Sequence, residues 1–262
     1  MSRIERGIPS EIDLSIDPDV INQARLLLRA EPNLARSRGW LQSQDKRKRE
    51  KFLSCFLLAC TSPALAVSGL SVLVADGRPL IHKETIAFLG PDGERINPVP
   101  ISKIRSLKRG SHLEERDPFA TTVFKGGREK KREAVDPRVH SIVGTILRKT
   151  GLDEIPQLFD IIQGRTALIG PRGYTLREIE GLEVLFEVLG HREELRDYLQ
   201  IMAEVRPRPG LGGLYAAIRK KDLTVIERLI LDRLYCLCAT PQGDYRILIA
   251  SFSTTAKMTG LR

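Results

Sequence analysis

The chain has 262 residues, 29% of them charged, and a formal net charge of +9. That length is enough to bury a core in one large domain or two small ones, and the positive balance suits an anionic partner such as nucleic acid, a phospholipid surface or a phosphorylated substrate. Aromatic residues make up only 5%, too few for stacking platforms, and no zinc-finger or RNA-binding signature is present, so nucleic acid is not an expected partner.

Residues 1–45 read as a polar N-terminal segment. Within it "DPDVINQARLLLRAE" predicts one amphipathic helix, capped by Asp17 or Asp19 and lined by Val20, Ala24, Leu27 and Leu28; the rest reads as loop. Residues 46–78 are different. Lys46, Arg47, Lys48, Arg49 and Lys51 precede an uncharged run of 24 residues, Phe52 to Ala75. As a helix that run extends roughly 36 Å at about 1.5 Å per residue, against a hydrocarbon core of about 30 Å. It lies too far into the chain for a signal peptide, and membrane insertion is expected rather than burial in a soluble core.

Ser62-Pro63 interrupts the run near its middle, where proline removes a backbone donor. Each half is then about a dozen residues, short of the roughly 20 a straight span needs. Lysines and arginines flank both ends, with Arg78 and Lys83 after the exit, which suits a hairpin returning to the cytoplasmic face. A single proline-kinked span fits the same charges.

Residues 79–262 read as the globular part, mixed α/β and mostly helical. "IAFLGPDGERI" predicts a strand, a Pro-Asp-Gly turn and a short strand, and "VPISKIRSLKRG" a further strand-like run. "FKGGREKKREAVD" reads as a basic loop suited to anionic headgroups. Helices are expected over "PRVHSIVGTILRKT", over "IPQLFDIIQG" ending at Gly164, and through most of residues 176–205. Two more are expected over "DLTVIERLILDRLYCLCA" and "DYRILIASFSTTAKMTG", the first of which has the pattern of a helix lying on a membrane. Cys55, Cys60, Cys236 and Cys238 form neither a disulfide framework nor a zinc set, and the four histidines stand outside any ligand motif.

Within "RKTGLDEIP" the adjacent carboxylates Asp153 and Glu154 follow Arg148 and Lys149. Thr150 and Asp153 have the spacing of a helix capping box. Yet a helix start also favours anions, Arg148 is close in sequence, "LIGPRG" offers Arg172 on a constrained loop, and "VRPRPGLGGL" offers Arg206 and Arg208 beside glycines where backbone can approach a ligand. Two carboxylates among such cations suit a divalent metal bridging to a diphosphate, or a nucleophile at phosphorus.

"DPRVHSIVGTILRKTGLDEIPQLFDIIQGRTALIGPRG", with the Ser62-Pro63 apolar run upstream and "RPGLGGL" downstream, resembles the bacterial sugar transferases, the monotopic phosphoglycosyl transferases. The similarity runs from about Lys46 to the C-terminus and is strongest over 136–173. It implies a re-entrant helix broken at Ser62 and Pro63 and a catalytic domain on the cytoplasmic face of the bacterial inner membrane. The implied reaction moves a sugar phosphate from a nucleotide (UDP-) sugar to polyprenyl phosphate with Mg²⁺, starting a lipid-linked glycan or exopolysaccharide. Asp153 would be the nucleophile and Glu154 its partner, the two together holding the metal. Arg148, Lys103, Arg105, Arg172, Pro171 and Arg208 would hold phosphate or substrate. The chain departs from the family pattern at "HKETIAFLG", "KIRSL", Gly164-Arg165-Thr166-Ala167, Pro171-Arg172-Gly173 and Gly212. Those changes bear on nucleotide and sugar recognition more than on phosphoryl chemistry, and they also fit a catalytically silent homologue acting as a membrane-bound scaffold.

Overall fold

A computed structural model describes residues 17–106, 142–189, 193–218 and 223–259. The basic loop at 124–136, His112, His140 and His191 lie outside them. The protein is mostly helical with two small sheets. Helix α1 (Pro18–Leu28) starts where expected: the Asp17 carboxylate accepts the Asp19 N–H at 3.0 Å, and Val20, Ala24 and Leu28 are buried. The expected loop after it is instead a second helix, α2 (Leu34–Gln42). The Asn33 side chain caps it by accepting the Arg36 N–H at 2.9 Å, and Leu41 and the Trp40 indole dock it on the body. With so few apolar residues its own periodicity is weak, and tertiary contacts supply the stability.

Helix α3 (Gln44–Asp76) runs unbroken through Pro63. Proline at 63 leaves the Ala59 carbonyl without its helical donor, and the Ser62 hydroxyl donates to that carbonyl at 2.9 Å. The adjacent Ser-Pro pair thus removes one hydrogen bond and restores another, so the ladder continues where the sequence predicts a break. One face of α3 carries Lys46, Glu50, Ser54, Ser68 and Val72 against the body. The opposite face exposes Phe52 (78%), Phe56, Val67, Leu70 and Val74 (81%). Only 11% of its most apolar stretch is buried, which a soluble core helix would not tolerate. It is long and apolar enough to cross a membrane.

Strands β1 (Ile81–Leu89) and β2 (Arg95–Ile104) form an antiparallel hairpin. The two short strands expected after the turn are one, because β2 is at the edge of its sheet, where prolines such as Pro98 and Pro100 are tolerated. Then follow α4 (Ile142–Thr150), a single 3₁₀ turn (Leu152–Glu154), α5 (Gln157–Ile162), β3 (Ala167–Ile169) and β4 (Tyr174–Thr175), which pairs with β1. Next come α6 (Leu176–Leu189), α7 (Glu193–Val205), β5 (Gly210–Gly212), the short α8 (Leu214–Ala217), α9 (Val225–Cys238) and α10 (Pro241–Thr259). Strand β5 lies parallel to β3.

The main core joins α1, the β1–β2 hairpin and α7 to α10 through Val20, Phe88, Tyr174, Tyr198, Met202, Leu229 and Tyr235. Helix α9 is its centre: Val225, Leu229, Leu231, Tyr235 and Cys236 are all buried, so the expectation that this helix lies on a membrane is wrong. A helix apolar on nearly every side reads the same from sequence whether lipid or protein covers it. Two smaller clusters attach α3 to the 3₁₀ turn, α5 and β2.

Candidate active site

The acid pair sits at a corner. The expected capping box does not form, because Thr150 is the last residue of α4 and its hydroxyl donates back to the Ile146 carbonyl at 2.8 Å. Gly151 follows with φ 72, the left-handed turn that ends a helix and that glycine adopts at least cost. The chain then enters the 3₁₀ turn Leu152–Glu154, closed by Glu154 N–H to the Gly151 carbonyl at 3.1 Å. Asp153 and Glu154 are therefore half-buried on a rigid turn between two helices, packed beside β2 and α3.

Burial, then the charge of Glu154, pushes the Asp153 carboxyl up to about 6, while Lys103 and Arg148 act in the opposite direction. Those two cations are the ones the structure brings to the dyad, Lys103 from β2 and Arg148 from α4. Lys103 also lies 3.7 Å from Glu84. At neutral pH the Asp153 carboxylate is still the majority form, by roughly ten to one.

Arg172 reaches the same region by way of Tyr215. Burial raises the Tyr215 hydroxyl, Glu154 adds to this and Arg172 opposes it, so the charges of both act on the same ring. The Arg172 guanidinium is 3.1 Å from Glu178 and lies over the Tyr174 ring at 5.9 Å, with its buried Nε free of any hydrogen-bond partner. Its backbone N–H donates to Asp232 at 3.2 Å. Asp232 is buried on α9, its carboxyl pushed up to about 8 by burial against the pull of Arg172 and Arg228. Asp232, Tyr215 and Glu178 were not singled out from the sequence. Asp232 did carry a signal, being an acid on the same stripe as Val225, Leu229 and Cys236.

The glycine-rich segments have a different use from the one expected. "LIGPRG" and "RPGLGGL" cross each other: a Cβ on Gly170 would lie 2.7 Å from the Arg208 carbonyl, and Gly210 is as tightly opposed to Gly170. Gly170 N–H donates to Gly212 and Gly210 N–H to Pro171, both at 2.9 Å. The glycines let two backbones meet, and that crossing fixes the Pro171-Arg172 loop.

Two of the expected phosphate ligands have protein partners of their own. Arg105 donates to the Gly77 carbonyl at 2.9 Å, at the end of α3. Arg208 donates to Thr166 and to Glu50, each at 2.8 Å, in a buried network. A cleft of about 600 Å³ is lined by Arg47, Asn97, Arg165, Arg206 and Arg208, and none of Asp153, Glu154, Arg148 or Arg172 borders it. Among the described residues no group of three metal-ligating side chains occurs. The adjacent carboxylates Asp153 and Glu154 still suit Mg²⁺, which commonly takes one or two carboxylates and completes its shell with water and substrate phosphate.

The chain is similar to the undecaprenyl-phosphate galactose phosphotransferase of Salmonella typhimurium, 28% identical over 97% of this chain and 48% of that protein. It is 28% identical to the UDP-glucose:undecaprenyl-phosphate glucose-1-phosphate transferase of Escherichia coli over 64% of this chain and 30% of that one. It is 29% identical to the exopolysaccharide production protein ExoY of Sinorhizobium fredii over 73% of this chain and 76% of that one. The chain thus spans half the length or less of the first two. The model of the bacterial sugar transferase family matches residues 41–258, which takes in α3, the acid pair and both crossing glycine segments. The chain belongs to the bacterial sugar transferase family.

Proposed function

We propose that this protein transfers a sugar phosphate from a UDP-sugar to undecaprenyl phosphate at the cytoplasmic face of the membrane. The observation that carries the reading is Asp153, half-buried on a fixed turn with Glu154, Lys103 and Arg148 acting on it. A carboxylate needs no separate base, and its remaining barrier to attack is the negative charge of the diphosphate.

In the first step an Asp153 oxygen attacks the phosphorus that bears the sugar. The bond from that phosphorus to the bridging oxygen breaks, and the nucleoside monophosphate leaves with the electron pair. In the second step an oxygen of the lipid phosphate attacks the same phosphorus, and the Asp153 carboxylate leaves. The product is a sugar joined to the lipid through a diphosphate. Arg148 and Lys103 offset the charge of the incoming phosphates, and Arg172, on its fixed loop, holds the donor. Asp153 and Glu154 would hold Mg²⁺, which supplies charge neutralisation at the diphosphate. Splitting the transfer lets the water-soluble half leave before the lipid enters.

Both ends of α3 touch one body, which supports a helix that enters and leaves on the same side. Lys46 contacts Ile169 at 3.0 Å, and Gly77 accepts from Arg105 at 2.9 Å. The relatives' names point to undecaprenyl phosphate and to UDP-glucose or a galactose donor.

The test is UMP release from a panel of UDP-sugars by detergent-solubilised protein with undecaprenyl phosphate and Mg²⁺. Release with one donor, lost in Asp153→Asn and on adding EDTA, is expected. No release from folded wild-type protein with any donor contradicts the reading.

A further inference from the structure

Strand β3 has β5 along one side, and among the described residues no strand lies along the other. Side chains occupy that free edge instead. Glu50 accepts the Leu168 N–H at 3.1 Å and the Ile169 N–H at 3.4 Å. Lys46 donates to the Ile169 carbonyl at 3.0 Å, Tyr235 donates to the same oxygen at 3.1 Å, and Arg208 donates to the Thr166 carbonyl at 2.8 Å.

Lys46 and Glu50 stand one turn apart on α3 and pair with each other at 2.9 Å, with side-chain exposures of 2% and 8%. Asp244 lies 2.5 Å from Lys46 Nζ and accepts from Trp40 at 2.9 Å and Tyr235 at 2.7 Å, while Arg208 holds the far oxygen of Glu50 at 2.8 Å. Burying such a pair is a poor way to gain stability, since apolar packing of similar volume usually does as well or better. What it adds is direction: each bond is aimed at a particular backbone group of β3.

Two continuities give that direction a use. Strand β3 ends at Ile169, and the next three residues are Gly170, Pro171 and Arg172. Helix α3 becomes uncharged at Phe52, two residues past Glu50. We propose that Lys46 and Glu50 are positioning residues that act as the missing edge strand, holding the Pro171-Arg172 loop at a set place relative to the apolar helix. The seat of that helix then determines where Arg172 meets the donor. The meaning of Arg172 rests on the proposed reaction, but the grip itself does not.

The experiment uses the full chain in nanodiscs of phosphatidylethanolamine and phosphatidylglycerol, comparing wild type with Lys46→Met and with the isosteric Glu50→Gln. Amide hydrogen exchange is followed for peptides covering 166–173 and, as a control, for α9. Amides of 166–173 should exchange at least about tenfold faster in both variants with α9 unchanged, the scale expected for losing one charge-assisted hydrogen bond. The KM for the nucleotide sugar should rise by about tenfold while kcat changes by less than about threefold, the split expected when ground-state positioning is lost. Unchanged exchange at 166–173 in folded variants overturns the proposal. So does an equal loss of protection in α9, which would make the pair a general support of the fold. A wild-type protein that turns over no donor counts against the proposed reaction, and the exchange result still decides the grip.

Discussion

Asp153 has a carboxyl that the fold makes harder to ionise. Burial and Glu154 raise it to about 6 from 3.8, and Lys103 and Arg148 recover only part of the shift. The native state therefore keeps its proton to higher pH than the unfolded chain does. The stability this gives is complete below about pH 4 and is lost as pH rises through about 6. An asparagine cannot ionise, so Asp153→Asn should melt higher than wild type at pH 7.5 in the absence of Mg²⁺, by roughly 1 kcal/mol after allowing for solvent screening. That advantage should shrink towards pH 4. A lower melting temperature for the variant at pH 7.5 would contradict this. The same carboxyl predicts that kcat/KM falls as pH drops through about 6, not about 4, because that parameter reports the free enzyme. An acid limb at about 4 would mean that the site does not perturb Asp153. Asp153, Glu154, Arg148 and Arg172 were legible as a motif. Tyr215 was not, because its relation to Glu154 and Arg172 depends on a backbone crossing at Gly170 and Gly210 that no local pattern announces.

At the scale of elements, α3 shows where local rules and three-dimensional bonding diverge. Proline at 63 predicts a break, and by itself would leave the Ala59 carbonyl bare in an apolar setting. The Ser62 hydroxyl fills that place at 2.9 Å. Removing the hydroxyl in Ser62→Ala should destabilise the helix by about 1–3 kcal/mol, the cost of a carbonyl left unsatisfied where lipid rather than water surrounds it. In a Pro63→Ala background, where the backbone N–H of residue 63 returns, the same change should cost little. A double-mutant cycle read by thermal unfolding in micelles measures the difference, and equal costs in both backgrounds would show that the serine does not serve the carbonyl. Helix α1 was legible because its cap and apolar spacing are local. Helix α2 was not, since its anchors, Trp40 on Asp244 and Leu41 in the core, are supplied by residues far away in sequence. For α9, the apolar pattern was clear and its partner was not.

For the whole molecule, the arrangement of α3 against the body carries a topological consequence. Its first turns are tied to β3 and α10, its middle packs on α5, and its end accepts a hydrogen bond from Arg105, the residue after β2. A straight crossing would leave these contacts on opposite sides of a bilayer. In a chain with Cys55, Cys60, Cys236 and Cys238 replaced, cysteines at Lys48 and Arg78 should therefore both label in inverted membrane vesicles and both resist a membrane-impermeant reagent added to intact cells. Opposite labelling would show that the helix spans. The net positive charge fits the same picture, with Lys48 and Arg49 at one end of the exposed apolar stripe and Arg78 just beyond the other.

The central claim, covalent transfer through Asp153, has a direct measurement. Wild-type protein is incubated with its UDP-sugar and Mg²⁺ without the lipid acceptor, quenched, and the peptide containing Leu152-Asp153-Glu154 is weighed by mass spectrometry. The mechanism predicts a sugar phosphate on Asp153, absent from Asp153→Asn and discharged when undecaprenyl phosphate is added. UMP release and lipid product formation with no adduct under those conditions, or an adduct that persists when the acceptor arrives, would contradict it.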